Sequence, residues 1–263
     1  MKFPPVLLIH GAGGDHLSWS AEIRRLSGFK IMAVDLPGHG RSAGTALQSV
    51  DAYAQRLIRF LEELKISRVI PVGHCMGGAI AMNLAMRHPT TVAGLGLVST
   101  GASLGGETDI LEQLSAPVGF SKALDLIQKR AFSPSADAQL VKKVMQSLVK
   151  VRHGVLYSDW RACAEFDMRE EVQWLNFPAW VVVGSEDQLT PLSSARFLVD
   201  HLPDATLQVI EGAGHMLAYE APGELVLGLQ AFLERVAFLD RMRRSQGSAI
   251  DQTLFNNHNN TGY

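Results

Sequence analysis

Short apolar runs alternate with amphipathic stretches along most of the chain. Val6–Ile9 is continuously apolar and stops at His10-Gly11, the pattern of a strand buried on both faces. The pattern recurs at residues 30–34, 68–72, 92–98, 179–183 and 206–210, so six strands are expected. Between these runs the spacing turns helical. Val50, Tyr53, Leu57, Leu61 and Leu64 share one helical face, with Ser49 placed to cap the first turn. Repeated strand and helix predict an α/β fold: a mostly parallel sheet of about six or more strands with helices on both faces, linked by right-handed crossovers. Ligands of such folds collect at the carboxyl ends of the strands.

The alternation breaks between residues 101 and 174, where residues 121–130 and the set Leu140, Val141, Val144, Met145 and Leu148 have helical spacing and no strand pattern is present. This segment reads as an inserted helical cap. Residues 1–100 and 175–244 then form the core, ending in a helix after Pro222 with Leu225, Leu229, Phe232, Leu233 and Val236 on its apolar stripe. Residues 245–263 are polar and asparagine-rich, the composition of a disordered tail.

Composition narrows the function classes. At 263 residues and 47% hydrophobic content the chain can bury one large core. Lysine and arginine total 24 against 26 acidic residues, so there is no basic footprint for nucleic acid. No apolar run approaches the roughly 20 residues that span a bilayer. Met1 to Pro5 leads straight into the first strand, leaving no room for a signal peptide. Two cysteines, Cys75 and Cys163, cannot build a disulfide framework, and a free thiol suits a reducing, cytoplasmic setting.

Chemistry concentrates at strand ends. Gly73-His74-Cys75-Met76-Gly77-Gly78 lies between the strand at 68–72 and a helical run at 79–87. Small glycines permit a sharp strand-to-helix turn that presents one side chain at the helix N-terminus, and here it is a thiol. Helix amides and a nearby imidazole would lower its pKa; against this, a small buried cysteine is the commonest fate of a free thiol. Asp187 follows the strand at 179–183, with Glu186 as the alternative acid, and His215 follows the strand at 206–210. Nucleophile, acid and histidine therefore occur in the chain order of a hydrolase triad, with Cys75 attacking, His215 moving protons and Asp187 orienting the ring. In His10-Gly11-Ala12-Gly13-Gly14, the Ala12 amide, or Gly13 in its place, is expected to join the Met76 amide as an oxyanion hole. His10, His39, His74, His88, His153 and His201 are assigned structural or surface roles. Trp19 and Trp160 are the candidate pocket aromatics, with Phe166 and Trp174 as weaker ones, and Cys163 is assigned to packing.

These motifs, together with Asp35-Leu36-Pro37-Gly38-His39-Gly40-Arg41-Ser42, resemble the α/β-hydrolase superfamily over about residues 6–240. The resemblance implies small capped esterases, lactonases, thioesterases or C–C bond hydrolases, acting on a small-molecule acyl substrate with no metal and no organic cofactor. Two departures stand out. Such relatives begin with a β-hairpin, whereas only five residues precede Val6, so two edge strands are expected to be missing or the start cut short. Cysteine at the elbow is similar to dienelactone hydrolases and to the box of polyhydroxyalkanoate synthases, and it is either native or a replaced serine. A hydrolase working through an acyl-thioenzyme, an acyltransferase with the same triad, and a non-catalytic ligand sensor all remain compatible with these residues.

Overall fold

The computed structural model describes residues 3–106 and 108–258, with side chains described up to residue 242. The core begins β1 (Val6–Ile9), α1 (Ala21–Arg24), β2 (Ile31–Val34), α2 (Val50–Glu63), β3 (Ile70–His74), α3 (Met76–Arg87) and β4 (Leu95–Val98). Four helices follow: α4 (Thr108–Leu114), α5 (Phe120–Ala131), α6 (Ala138–Leu148) and α7 (His153–Ala164). The core resumes with β5 (Ala179–Gly184), α8 (Leu192–His201), β6 (Ala205–Ile210), α9 (Leu217–Glu220) and α10 (Pro222–His258).

All six strands lie parallel in one sheet, in the order β2-β1-β3-β4-β5-β6. The six expected strands are therefore the six observed. Central strands β1, β4 and β5 are buried throughout, whereas the edge strands β2 and β6 are half exposed. Helices on both faces leave a central strand no solvated side, which is why its sequence reads as an unbroken apolar run. Some boundaries move. Val92 makes only an isolated bridge to Val69, so β4 starts at Leu95, and β3 runs on through Gly73 and His74.

One face packs Leu7, Ile9 and Leu97 against α2, α3 and α8; the other packs Leu8, Val72 and Val182 against α1 and α10. In α2 the Ser49 hydroxyl accepts the Ala52 amide at 3.2 Å, and Val50, Tyr53, Leu57 and Leu61 are buried, while Leu64 caps the helix in solvent. Along α10 the expected stripe is buried, and Phe232 stacks on Trp180. The backbone of α10 continues to His258. The tail expected at 245–263 otherwise falls outside the described residues.

Helices α4 to α7 share a third apolar cluster around Ile110, Leu124, Ile127 and Leu156. The inserted segment is tied at its ends by a bridge between Ser103 and Asp167. Helix α7 escaped the periodicity because Ser158 and Asp159 are buried beside Val155, Leu156, Ala162 and Cys163, so no clean apolar stripe exists.

Strands β1 and β3 are neighbours, yet the chain leaves them toward opposite edges of the sheet. Their carboxyl ends therefore open onto the crevice where open α/β sheets hold ligands.

Candidate active site

The turn after β3 is under local strain. Cys75 has φ 52° and ψ −117°, a region L-residues avoid, and it immediately precedes α3. Its amide donates to the Val98 carbonyl at 3.0 Å, while its own carbonyl accepts the Thr100 hydroxyl at 2.8 Å. Two glycines make the turn possible. A Cβ on Gly73 would meet the Gly77 carbonyl oxygen at 2.0 Å, and one on Gly77 would meet the Ile9 oxygen at 2.2 Å. The thiol is thus held up, partly exposed, at the N-terminus of α3.

His215 and Asp187 come from the loops after β6 and β5. His215 Nδ1 lies 2.9 Å from Asp187 Oδ2, and Asp187 also accepts the Leu189 and Thr190 amides and the Thr190 hydroxyl. Both residues are buried, whereas Glu186 is exposed, so of the two acids Asp187 meets the histidine. Cys75 and His215 line one cavity, and the sulfur is a charge partner of the imidazole. Burial alone would lower the His215 pKa, but the Asp187 carboxylate and the Cys75 sulfur reverse this and hold it well above the ordinary value. Burial likewise opposes ionisation of Asp187, and the His215 charge with the Thr190 bonds brings its pKa below normal.

The Cys75 thiol is held well below the ordinary thiol range, first by a hydrogen bond from the Cys163 thiol and then by His215, against the cost of burial. Cys163 is correspondingly pushed up. It packs in the core as expected, and its interaction with the Cys75 sulfur is one that no local motif announced.

On the β1 side, the His10 ring is neutral, since Nε2 accepts the Leu36 amide at 3.1 Å and burial lowers its pKa to about 4. Among the described residues the amides of Ala12 and Met76 have no protein acceptor. Gly13 differs from the expectation that it could replace Ala12, because its amide donates to Asp159 Oδ2 at 2.8 Å. The donor is spent on a carboxylate delivered by α7.

Further residues invisible to motif reading hold the frame. Glu220 accepts the Ser133, Gly214 and Met216 amides, bracing the His215 loop. The Ala131 carbonyl accepts the amides of both His215 and Met216. His74 Nε2 lies 3.0 Å from the His215 carbonyl, and burial lowers its pKa to about 4, so it contributes a neutral ring.

A cavity opens over Cys75. Trp19 and Trp160 both line it, together with Ile127, Phe132, Met145 and Leu148, whereas Trp174 is solvent-exposed and Phe166 is buried elsewhere. Among the described residues no lysine, arginine, aspartate or glutamate lines it. Asp15, His16 and Asp35 bring ligand atoms together away from this cavity, but Asp35 is already engaged by the His16 amide and ring and by the Arg41 amide. No described helix is long and apolar enough to cross a membrane.

A family model described as alpha/beta hydrolase fold matches residues 4–222. The chain is 33% identical over 248 residues to the dihydrolipoyllysine-residue acetyltransferase component of the acetoin cleaving system of Pseudomonas putida, covering 88% of this chain and 64% of that protein. It is 26% identical over 240 residues to 3-oxoadipate enol-lactonase 2 of Acinetobacter baylyi, covering 88% and 89%. The solved structure of a thermophilic esterase is 34% identical and superposes with a TM-score of 0.77 over 89% of this chain and 91% of that one.

Proposed function

The chain belongs to the alpha/beta hydrolase fold family, and on that premise we propose that it hydrolyses uncharged, largely apolar esters, thioesters or lactones through an acyl-Cys75 intermediate. The supporting observation is the convergence of Asp187, His215 and Cys75 from three loops at one crevice, with His215 Nδ1 2.9 Å from Asp187.

Cys75, with Cys163 and then His215 beside it, is drawn toward the thiolate, and His215 is drawn toward the imidazolium by Asp187 and the sulfur, so the pair enters the reaction in that form. The sulfur attacks the substrate carbonyl carbon, and the oxygen takes up negative charge facing the amides of Ala12 and Met76. Collapse breaks the bond to the leaving group, which departs with the proton carried by His215. Water then attacks the acyl-thioester, giving one proton to His215, and loss of the carboxylic acid restores the thiolate and imidazolium. Asp187 keeps the ring in the tautomer that presents Nε2 to sulfur. Helices α5, α6 and α7 act as the cap, and their uncharged lining excludes substrates bearing a carboxylate near the scissile bond, because an unpaired buried charge is costly.

Reduced protein tested on short-chain aryl esters, neutral lactones and acyl-thioesters is expected to show multiple turnover, and quenched reactions an acyl mass increment on the Cys75 peptide. Cys75→Ala should lose both, on the order of 10³-fold or more in kcat. Undiminished turnover by that variant would sink the reading. A second reading, acyl transfer, is favoured by the acetyltransferase component among the relatives. Added alcohol or thiol acceptors would then yield new esters or thioesters in place of free acid.

A further inference from the structure

Asp159 is fully buried on α7 at a position the chemistry above does not use. Its Oδ2 accepts the Gly13 amide at 2.8 Å and lies 2.7 Å from His39 Nε2; its Oδ1 accepts the Tyr53 hydroxyl at 2.7 Å. The Tyr53 oxygen is itself an acceptor for the Leu47 amide, which leaves its proton for Asp159. His39 faces oxygens on both nitrogens, Asp159 Oδ2 and the Pro37 carbonyl, so it donates from both and is an imidazolium. A buried carboxylate is tolerable only when paired and hydrogen-bonded in this way.

This one carboxylate joins the loop after β1, the loop after β2 and helix α2 to a helix of the inserted segment. Its position relative to the oxyanion loop gives it a functional consequence. Gly13 follows Ala12, has φ +66°, and is pressed from the cavity side by Leu148 and Leu156, whose methyl groups would lie 2.7 and 2.8 Å from an added Cβ. The bond to Asp159 fixes the peptide between Ala12 and Gly13 and hence the rotation available to Ala12. The next residue, Trp160, lines the cavity, and Cys163, one turn on, interacts electrostatically with Cys75.

We propose that Asp159 is a positioning residue: through Gly13 it sets the oxyanion loop, so that the hole is competent only while α7 is seated on the core. This rests on the hydrolase reading and adds to it a route by which the inserted helices control the chemical step.

The test separates reactions that need the oxyanion hole from one that does not. Alkylation of Cys75 by iodoacetamide needs only the thiolate, whereas turnover of a neutral aryl ester and reversible inhibition by an apolar aldehyde, whose thiohemiacetal oxygen enters the hole, need the donors as well. Asp159→Ala is expected to lower kcat about 10²- to 10³-fold with KM nearly unchanged, and to weaken the aldehyde by a similar factor. Its alkylation rate should stay within about threefold of wild type. Asp159→Asn keeps an oxygen for the Gly13 amide and should recover kcat to within about tenfold, which also serves if the alanine variant fails to fold.

Wild-type kcat and aldehyde inhibition in both variants would overturn this inference while leaving the hydrolase reading intact. Parallel loss of alkylation, kcat and thermal stability, with no recovery by asparagine, would overturn it in favour of a purely structural role. Wild-type protein that neither turns over esters nor binds the aldehyde would overturn both readings.

Discussion

At the scale of single residues, the sulfur at position 75 depends on a neighbour 88 positions away in the chain. An ordinary thiol ionises near pH 8.5, and this one is held well below that, chiefly by the Cys163 thiol. Alkylation of Cys75 should therefore reach half its maximal rate at a pH well below 8.5. Cys163→Ala should move the midpoint upward; an unchanged profile would remove Cys163 from the account. The two candidate acids divide as cleanly. Asp187→Asn is expected to lower kcat by about 10²- to 10⁴-fold through loss of the correct ring tautomer, whereas Glu186→Gln, a change at an exposed side chain, should leave steady-state kinetics alone. The sequence singled out residues 75, 187 and 215 because each sits in a local motif at a strand end. Asp159, Cys163 and Glu220 have no such signature: their roles are created by tertiary contacts, and a buried carboxylate in a helix looks locally like any solvent-facing one.

Elements were legible where burial is regular. Core strands, helix α2 and the part of α10 up to Val236 follow one period, so their existence and their buried faces could be read directly. Boundaries slid by up to three residues at β4, where Val92 pairs only through an isolated bridge. Helix α7 was missed because it packs on two sides and buries polar atoms. The elbow between β3 and α3 permits a sharp stability test. Gly77→Ala would push a methyl against the Ile9 carbonyl oxygen and should cost at least about 2 kcal/mol in urea unfolding, in the range of overpacked cores. Gly223→Ala, with no atom within 4 Å of the added Cβ, should stay within about 0.5 kcal/mol of wild type. Equal stability of the two variants would mean that the elbow backbone can move aside.

For the molecule as a whole, the sheet and the inserted helices divide the labour: one aligns three loops, the other encloses an uncharged space over them. Replacing Leu148 of the cavity wall with arginine should shift relative kcat/KM by tenfold or more from a neutral aryl butyrate toward an aryl hemisuccinate, about the 1.4 kcal/mol that one new charge pair can supply. A ratio unmoved by the change would place the acyl chain elsewhere. The wall and His215 are also sewn together. Two amides flanking the imidazole hang from the Ala131 carbonyl at the end of α5, and Glu220 ties Ser133 to the same loop. Swinging the upper storey away like a hatch would drag His215 off the sulfur, so traffic in and out is expected to pass between side chains at the rim while the roof stays bolted to the His215 loop.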